Sequence, residues 1–460
     1  MQHAAFGVHL VEFHPAGLRH AQGFGTYFLA PRLERFTAQH PQLEVEIVAN
    51  PRMFSLSKRE AEIAVTMTRP QRGRLHARKL TDYELGLYAC RSYLKAQGPI
   101  EHRAQIASHP WVGYIKDLML GVSLTKTRSC LRRTAMRGYV VEHPEEAFTQ
   151  VDLPRPVPSA GQVLVRVHAS GVNPLDTKIR AGKAAHAQQP LPAVLGLDMA
   201  GVVEEVGPGV TAFHPGDEVY GMVGGVGGLQ GTLAEIVVAN ADLIALKPKS
   251  LSMREAAALP LITITAWEGI IDRAKVHGGQ KVLVHAGAGG VGHIAVQLAK
   301  AFGAEVFATV SAGKQHVVEE FGATAIDYRT LSTEQYVAIH TEGQGFDVVY
   351  DTVGGATIDA SFVAVKRYTG HVVSCLGWST HSLAPLSFRG ATYSGVFTLM
   401  PLLTGLGQAH HGTILREAAA LVEGGKLRPL LNKQRFSSAD IDAAHSLVES
   451  GALGKVVVDL

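Results

Sequence analysis

Residues 281–301 read KVLVHAGAGGVGHIAVQLAKA, and the reading of this stretch decides the fold. An apolar run is followed by a glycine cluster and then by apolar residues at helical spacing, which predicts strand, tight turn and helix. Gly287, Gly289 and Gly292 stand in G-x-G-x-x-G spacing within that context. Each meets a steric demand of a dinucleotide site: a tight turn, backbone approach to a pyrophosphate, and close packing of helix on strand. The helix N-terminus would then offer free N–H groups and a positive dipole end to the diphosphate. The alternative is a glycine-rich turn in any α/β protein.

The end of the next strand selects the dinucleotide, because an acid there accepts hydrogen bonds from the adenosine ribose of NAD. Residues 305–310 (EVFATV) run instead into Ser311, Ala312, Gly313 and Lys314. A hydroxyl and an ammonium suit a 2′-phosphate, so NADP(H) is the expected cofactor, with Ser311 and Lys314 as contacts. Lys314 also reads as an exposed lysine in a first helical turn.

Outward from this unit, strand and helix patterns alternate from about residue 263: strands at 305–310, 325–328, 346–350 and 371–375, with a helix near 315–321. Such alternation predicts a doubly wound parallel sheet. Upstream, residues 162–169 (QVLVRVHA) alternate apolar and polar as a half-buried strand does. Strands at 202–206, 218–221 and 233–238 follow between Pro and Gly turns, an all-β region. Downstream, a helix at 413–423 and a strand in 454–459 (GKVVVD) are expected to return to that β-rich domain, with His410 and His411 solvated in a glycine-rich loop. A second glycine cluster, 221–231 (GMVGGVGGLQG), breaks the phosphate-loop spacing at Gln230 and runs on into strand; it reads as a flexible loop and not as a phosphate site.

With 460 residues the chain fits two or three domains, and its net charge of +3 argues neither for nor against a nucleic-acid partner. Cys90, Cys130 and Cys375 are far apart, match no metal spacing and imply a reducing compartment. The early residues carry His3, His9, Glu12, His14 and Pro15 where a signal peptide needs apolar continuity, and no apolar run is long enough for a membrane span. The expectation is a cytoplasmic protein with no membrane association. A basic stretch at 121–135, free of acids and of apolar period, predicts a linker. The expected division is thus 1–120, a linker at 121–135, a β-rich domain at 136–262 completed by 408–460, and a nucleotide domain at 263–407.

From Met136 onward the order of motifs resembles the zinc-free quinone oxidoreductase and enoyl reductase branch of the medium-chain dehydrogenase/reductase superfamily. The carrying residues are GVNPLD (171–176), GLD (196–198) with AGVVEEVG (200–207), PGDEV (215–219), ITAW (264–267), AGAGGVG (286–292), DTVGG (351–355) and GKVV (454–457). The resemblance implies a GroES-like catalytic domain beside a Rossmann domain. Zinc-dependent relatives carry a Cys where Asn173 stands and a His-Glu pair where Leu197-Asp198 stands, so no metal is expected. His168, His186 and His214, at unrelated spacings, read as solvated or core residues.

Without a Lewis acid, alcohol oxidation is the harder chemistry, and hydride transfer from NADPH into a quinone or α,β-unsaturated carbonyl is expected instead. The resemblance places Asn173 beside nicotinamide and substrate oxygen, and Thr265 against the cofactor, although Asn173 also suits a turn and Thr265 an ordinary helix position. It places Tyr328, which fits a core position nearly as well, near the adenine, and Leu376, Gly377 and Lys455 on the nicotinamide side. Trp267 and the loop 221–231 are the candidates for shaping the pocket. The resemblance also implies a homodimer. The alternatives are 2-enoyl-thioester reduction, weakened by the lack of a Tyr soon after GVNP, and a non-catalytic NADPH-binding sensor.

Residues from about 23 to 118 resemble the start of the effector-binding domain of LysR-type regulators. The marks are GFGTYFLAPRL (23–33), FTAQHPQLEVE (36–46), EIAV (62–65), RKL (78–80) and LYACRSYL (87–94). Helix is expected at 31–39 and strand at 43–48, giving a partial α/β lobe of periplasmic-binding type. Nothing before Gly23 can form the winged helix-turn-helix of such regulators, so no DNA binding is expected. A half-lobe is a poor folding unit, and the expectation is a dispensable fusion or an over-extended reading frame with Met136 as the older start.

Overall fold

In the computed structural model the described residues are 135–460 together with five earlier strands, Phe6–Glu12, Leu18–His20, Ile47–Ala49, Ile63–Thr66 and His76–Tyr83. The chain divides into two compact units, Met1–Arg133 and Thr134–Leu460. In the first, Phe6–Glu12 pairs antiparallel with Ile63–Thr66 and His76–Tyr83, and Leu18–His20 pairs parallel with Ile47–Ala49 and Ile63–Thr66. Of the strand expected at 43–48, Ile47 and Val48 fall in the strand Ile47–Ala49, and 43–46 lie outside the described residues. The helix expected at 31–39 and the segment 87–94 lie outside the described residues.

The second unit holds two large sheets and a small three-stranded one, in which Ala135–Val141 pairs antiparallel with Thr149–Pro154 and Ala193–Val194. In the catalytic sheet the eleven-residue strand Gln162–Val172 is central. It pairs along one edge with Asp198–Val206, and along the other with Ile236–Asn240 and then with Val456–Asp459. A strand flanked on both edges and covered on its faces is buried for most of its length, which is why only Arg166 and His168 are exposed within VLVRVHASGV. Gly171 is required here: a Cβ would lie 2.3 Å from the carbonyl oxygen of Ala257, so only glycine lets the helix Met253–Ala257 approach the sheet.

The second sheet is wholly parallel. Its order is Thr324–Asp327, Glu305–Val310, Lys281–Val284, Val348–Asp351, His371–Ser374 and Thr392–Gly395, that is third, second, first, fourth, fifth, sixth. Helices cover both faces, so Val348–Asp351 is buried at every residue. The order reverses between the first and fourth strands, and ligands of such sheets bind beyond the strand ends at that reversal. The β-rich sheet expected from the sequence is present as a largely antiparallel one and the doubly wound sheet as a parallel one, and together they give the α/β class.

Several elements differ from expectation. The sixth strand, Thr392–Gly395, is short, mostly exposed and polar (TYSG), and carries no apolar alternation to announce it. The helix near the C-terminus spans Gln408–Glu423 and not 413–423. Its extra turn carries His410 and His411, and His411 is fully buried, so the solvated loop expected there is corrected. The cause is packing: a Cβ on Gly412 would lie 2.6 Å from Asp242 O, so the helix start presses onto 241–246. The glycine cluster is likewise not a free flap. Met222, Val223 and Val226 are core residues, and only 227–229 are exposed.

Candidate active site

The loop after strand Lys281–Val284 folds as a phosphate cradle would require. Gly289 caps the twelve-residue helix Gly290–Ala301 without any side-chain cap, leaving the first N–H groups facing outward. A Cβ at Gly292 would sit 2.1 Å from Ala286 O, and one at Gly287 would sit 2.5 Å from the Ala308 side chain. Ala286, preceding these glycines, holds a left-handed φ of 54°, a conformation that costs an alanine about 1–2 kcal/mol. Neighbouring bonds over-determine it. Thr309 Oγ1 accepts from Ala286 N–H, Thr309 O accepts from Gly287 N–H, and Thr309 Oγ1 pairs with His285 Nδ1 at 3.1 Å. Burial pushes His285 down to about 4, so the ring beside the cradle is neutral.

At the end of Glu305–Val310, Lys314 N–H donates to Ser311 O, a turn that brings Ser311 and Lys314 together. Val310 pairs with Asp327, which sets Tyr328 beside the same strand ends. Tyr328 is 52% exposed, so it is a surface and not a core tyrosine, and the Arg329 guanidinium lies 5.9 Å from its ring. Arg329 is a second cation at this end, and no motif in the sequence marks it, because it lies beyond the strand and outside the 311–314 turn.

Asn173, Asp198 and Lys455 come together from three separate motifs. Asn173 ends the central strand as the N-cap of Pro174–Arg180, and it is fully buried. Its Nδ2 donates to Asp198 Oδ2 at 2.9 Å and its Oδ1 accepts from Lys455 Nζ, which also donates to Val172 O. Asp198 Oδ1 accepts from Leu261 N–H at 2.9 Å, and Lys455 Nζ stands 3.8 Å from Asp198 Oδ2. Burial pushes Asp198 up to about 6 and Asp176 up to about 7, while burial lowers Lys455 against the pull of both carboxylates. The aliphatic stem of Lys455 passes 3.9 Å from the Cβ position of Gly290, which ties this knot to the cradle.

At the end of the fourth strand, Asp351 is buried and accepts from Val353 N–H, Gly354 N–H and Ser374 Oγ, fixing the loops after strands four and five. Leu376 N–H donates to Ser374 Oγ. Gly377 lines a cavity of about 720 Å³ whose other walls include His186, Trp378, Tyr393 and Phe397. Thr265 is buried in the helix Pro260–Trp267, its hydroxyl bonded to Leu261 O and Thr398 Oγ1. Trp267 packs edge-on against Phe302 and does not line this cavity, whose wall carries Trp378. Nothing in the residue pattern around 378–397 signals a pocket; the fold alone brings these aromatics to His186.

Comparison with known proteins follows the same division. Residues 159–249 match the alcohol dehydrogenase GroES-like domain, 321–458 the zinc-binding dehydrogenase family, and 20–135 the LysR substrate binding domain. The 2-methylene-furan-3-one reductase of Solanum lycopersicum is 39% identical over 306 residues, covering 65% of this chain and 71% of the reductase. The chain belongs to the medium-chain dehydrogenase/reductase superfamily. A chloroplastic NADPH-dependent alkenal/one oxidoreductase of Arabidopsis thaliana is 37% identical, with 65% of this chain and 72% of the relative covered. The crystal structure of an alcohol dehydrogenase superfamily protein from Novosphingobium aromaticivorans is 56% identical with a TM-score of 0.69, and covers 71% of this chain and 99% of that one. This chain is therefore a nicotinamide-dependent oxidoreductase of that superfamily, joined to a segment similar to LysR substrate-binding domains. No helix among the described residues is long and apolar enough to cross a membrane.

Proposed function

We propose that the protein reduces α,β-unsaturated carbonyls and quinones with NADPH, by direct hydride transfer and without zinc. The observation that carries this reading is the Asn173–Asp198–Lys455 knot. Where a zinc-dependent enzyme needs free ligands, this chain has an amide and a carboxylate bonded to each other, with an ammonium 3.8 Å from that carboxylate. A zinc ion does not fit a site already holding a cation, and without one the chemistry that remains accessible is reduction of an acceptor electrophilic in itself. The relatives named as reductases of alkenals, alkenones and a methylene-furanone support the acceptor class.

The nicotinamide supplies a hydride when bound. The chain's own part is to hold the diphosphate at the helix start after Gly289, to seat the ribose end at Ser311 and Lys314, and to wall the acceptor with apolar rings that exclude water. The pairing of Ser311 with Lys314, without a carboxylate in 311–314, supports NADPH over NADH. The open edge at Thr392–Gly395 supports pairing of two copies through that sheet. We place the protein in the cytoplasm. The test is deuteride transfer: NADPH carrying deuterium at both C4 positions of the nicotinamide should deliver label to the β-carbon of a simple enone, read by mass spectrometry. Unlabelled product, or no product, would refute the reading.

A further inference from the structure

We infer that the favoured acceptor is an uncharged enone bearing an aromatic ring, and that Trp378 sets this preference by receiving the ring; the inference rests on the reductase reading above and names its substrate class. The cavity beyond the fifth nucleotide-domain strand, about 720 Å³, is of the size that holds a drug-sized ligand. Its wall carries the rings of His186, Trp378, Tyr393 and Phe397 and includes no Lys, Arg, Asp or Glu. Ser374, on the same wall, spends its hydroxyl on Asp351 Oδ2 at 2.7 Å. Burial and the nearby Lys178 lower the proton affinity of His186, so that ring is neutral too. An anionic acceptor would leave water here without finding a counter-charge, and burying an unpaired ion is heavily penalised.

Trp378 is the ring on this wall that a ligand can reach. It lines the cavity and is 55% exposed, more than His186, Tyr393 or Phe397, so much of the indole is left for a ligand to cover. Its loop is held in place: the Trp378 backbone N–H donates to Leu376 O, and Leu376 N–H donates to Ser374 Oγ. A Cβ at Gly377 would lie 2.1 Å from the Tyr393 hydroxyl, so Tyr393, itself edge-on to Phe362, packs directly against the loop backbone. From the catalytic domain the 3-10 turn Ala185–Ala187 sets His186 against the indole, ring centres 4.4 Å apart, and 6.4 Å from Phe397. The glycine cluster pins that turn, since Gly227 N–H donates to Ala187 O and Gly228 N–H donates to Gln189 Oε1. Rings fixed in tilted arrangement offer a planar aromatic ligand offset and edge-to-face contacts with little left to order on binding, whereas a saturated group gains only the area it covers.

The test uses the full-length chain, Trp378→Leu and Trp378→Phe with 4-phenylbut-3-en-2-one, 4-cyclohexylbut-3-en-2-one and pent-3-en-2-one. Dividing each variant's kcat/KM by the wild-type value cancels the intrinsic reactivity of each acceptor. Trp378→Leu should lose about tenfold on the phenyl enone, equivalent to about 1.4 kcal/mol, and about threefold or less on the other two. Trp378→Phe keeps a ring and should recover most of that loss. NADPH affinity by fluorescence titration should be equal in all the proteins. A carboxylate added to the phenyl ring, as in 4-(3-oxobut-1-enyl)benzoate, should raise the wild-type KM about tenfold or more. Losses of equal size on the enones, weaker NADPH binding in place of weaker acceptor use, no recovery with phenylalanine, or an unchanged KM for the carboxylate overturns the inference and leaves the reductase reading standing. A wild-type chain that binds NADPH and reduces none of these enones refutes that reading, and the inference with it.

Discussion

Replacing Lys455 with methionine isolates the buried charge knot. Lys455 is only 5% exposed, and its ammonium faces Asn173 Oδ1, Val172 O and, at 3.8 Å, Asp198 Oδ2. Burial holds Asp198 up at about 6 even with this cation present. That is roughly two pH units above an ordinary aspartate, or about 3 kcal/mol for carrying the charge at neutral pH. Methionine fills the stem's volume but leaves the carboxylate unopposed, and breaking a buried pair from one side costs about 3–5 kcal/mol. A protonated Asp198 needs no cation, so the loss depends on pH. With its pKa raised by folding, the native chain holds a proton that the unfolded chain has released; stability is greatest in acid and falls as pH rises through the folded value. Removing Lys455 moves that value further up, and the gap between variant and wild type then widens by up to about 1.4 kcal/mol per pH unit above 6. Asp176, held near 7 by burial, acts in the same direction. Methionine also leaves Asn173 Oδ1 and Val172 O without their donor, a loss of about 1–3 kcal/mol for each at any pH, so urea unfolding followed by circular dichroism should give separated midpoints at pH 5.5 and a clearly larger separation at pH 8. Equal separation at both pH values, or a larger one in acid, would refute the reasoning.

Two further outcomes follow from the cofactor cradle. Gly292→Ala drives a Cβ to 2.1 Å from Ala286 O, a backbone atom that cannot swing away, so NADPH affinity by fluorescence titration should fall at least tenfold, and overpacking of this kind destabilises by about 1–3 kcal/mol. Lys314→Ala should raise KM for NADPH about tenfold and leave KM for NADH unchanged, since a charge-assisted phosphate contact contributes about 1.5–3 kcal/mol; an additional loss with Arg329→Ala would place both cations on the 2′-phosphate.

The parallel sheet was legible because its strands are short apolar runs punctuated by glycine, and because Gly287, Gly289 and Gly292 carry a steric meaning that spacing alone conveys. The sixth strand was not legible, since TYSG has neither period nor apolar content. His411 looked solvated beside glycines, yet Gly412 is there to let a helix approach another chain segment, a reason visible only in three dimensions. Asn173, Asp198 and Lys455 were each singled out in their own motifs, but their mutual bonding depends on the terminal strand returning to Gln162–Val172. Trp378 and His186 share no motif, and their contact is set by how the catalytic domain folds onto the nucleotide domain. Ala286 carries no residue-type signal of its left-handed backbone.

The most direct test of the central claim is NADPH oxidation by the purified chain with 1,4-benzoquinone, 9,10-phenanthrenequinone and a simple enone, with NADH in parallel and EDTA present. The account predicts turnover that prefers NADPH and is indifferent to EDTA. Turnover abolished by EDTA and restored by zinc, or tight NADPH binding with no turnover of any acceptor, would contradict it.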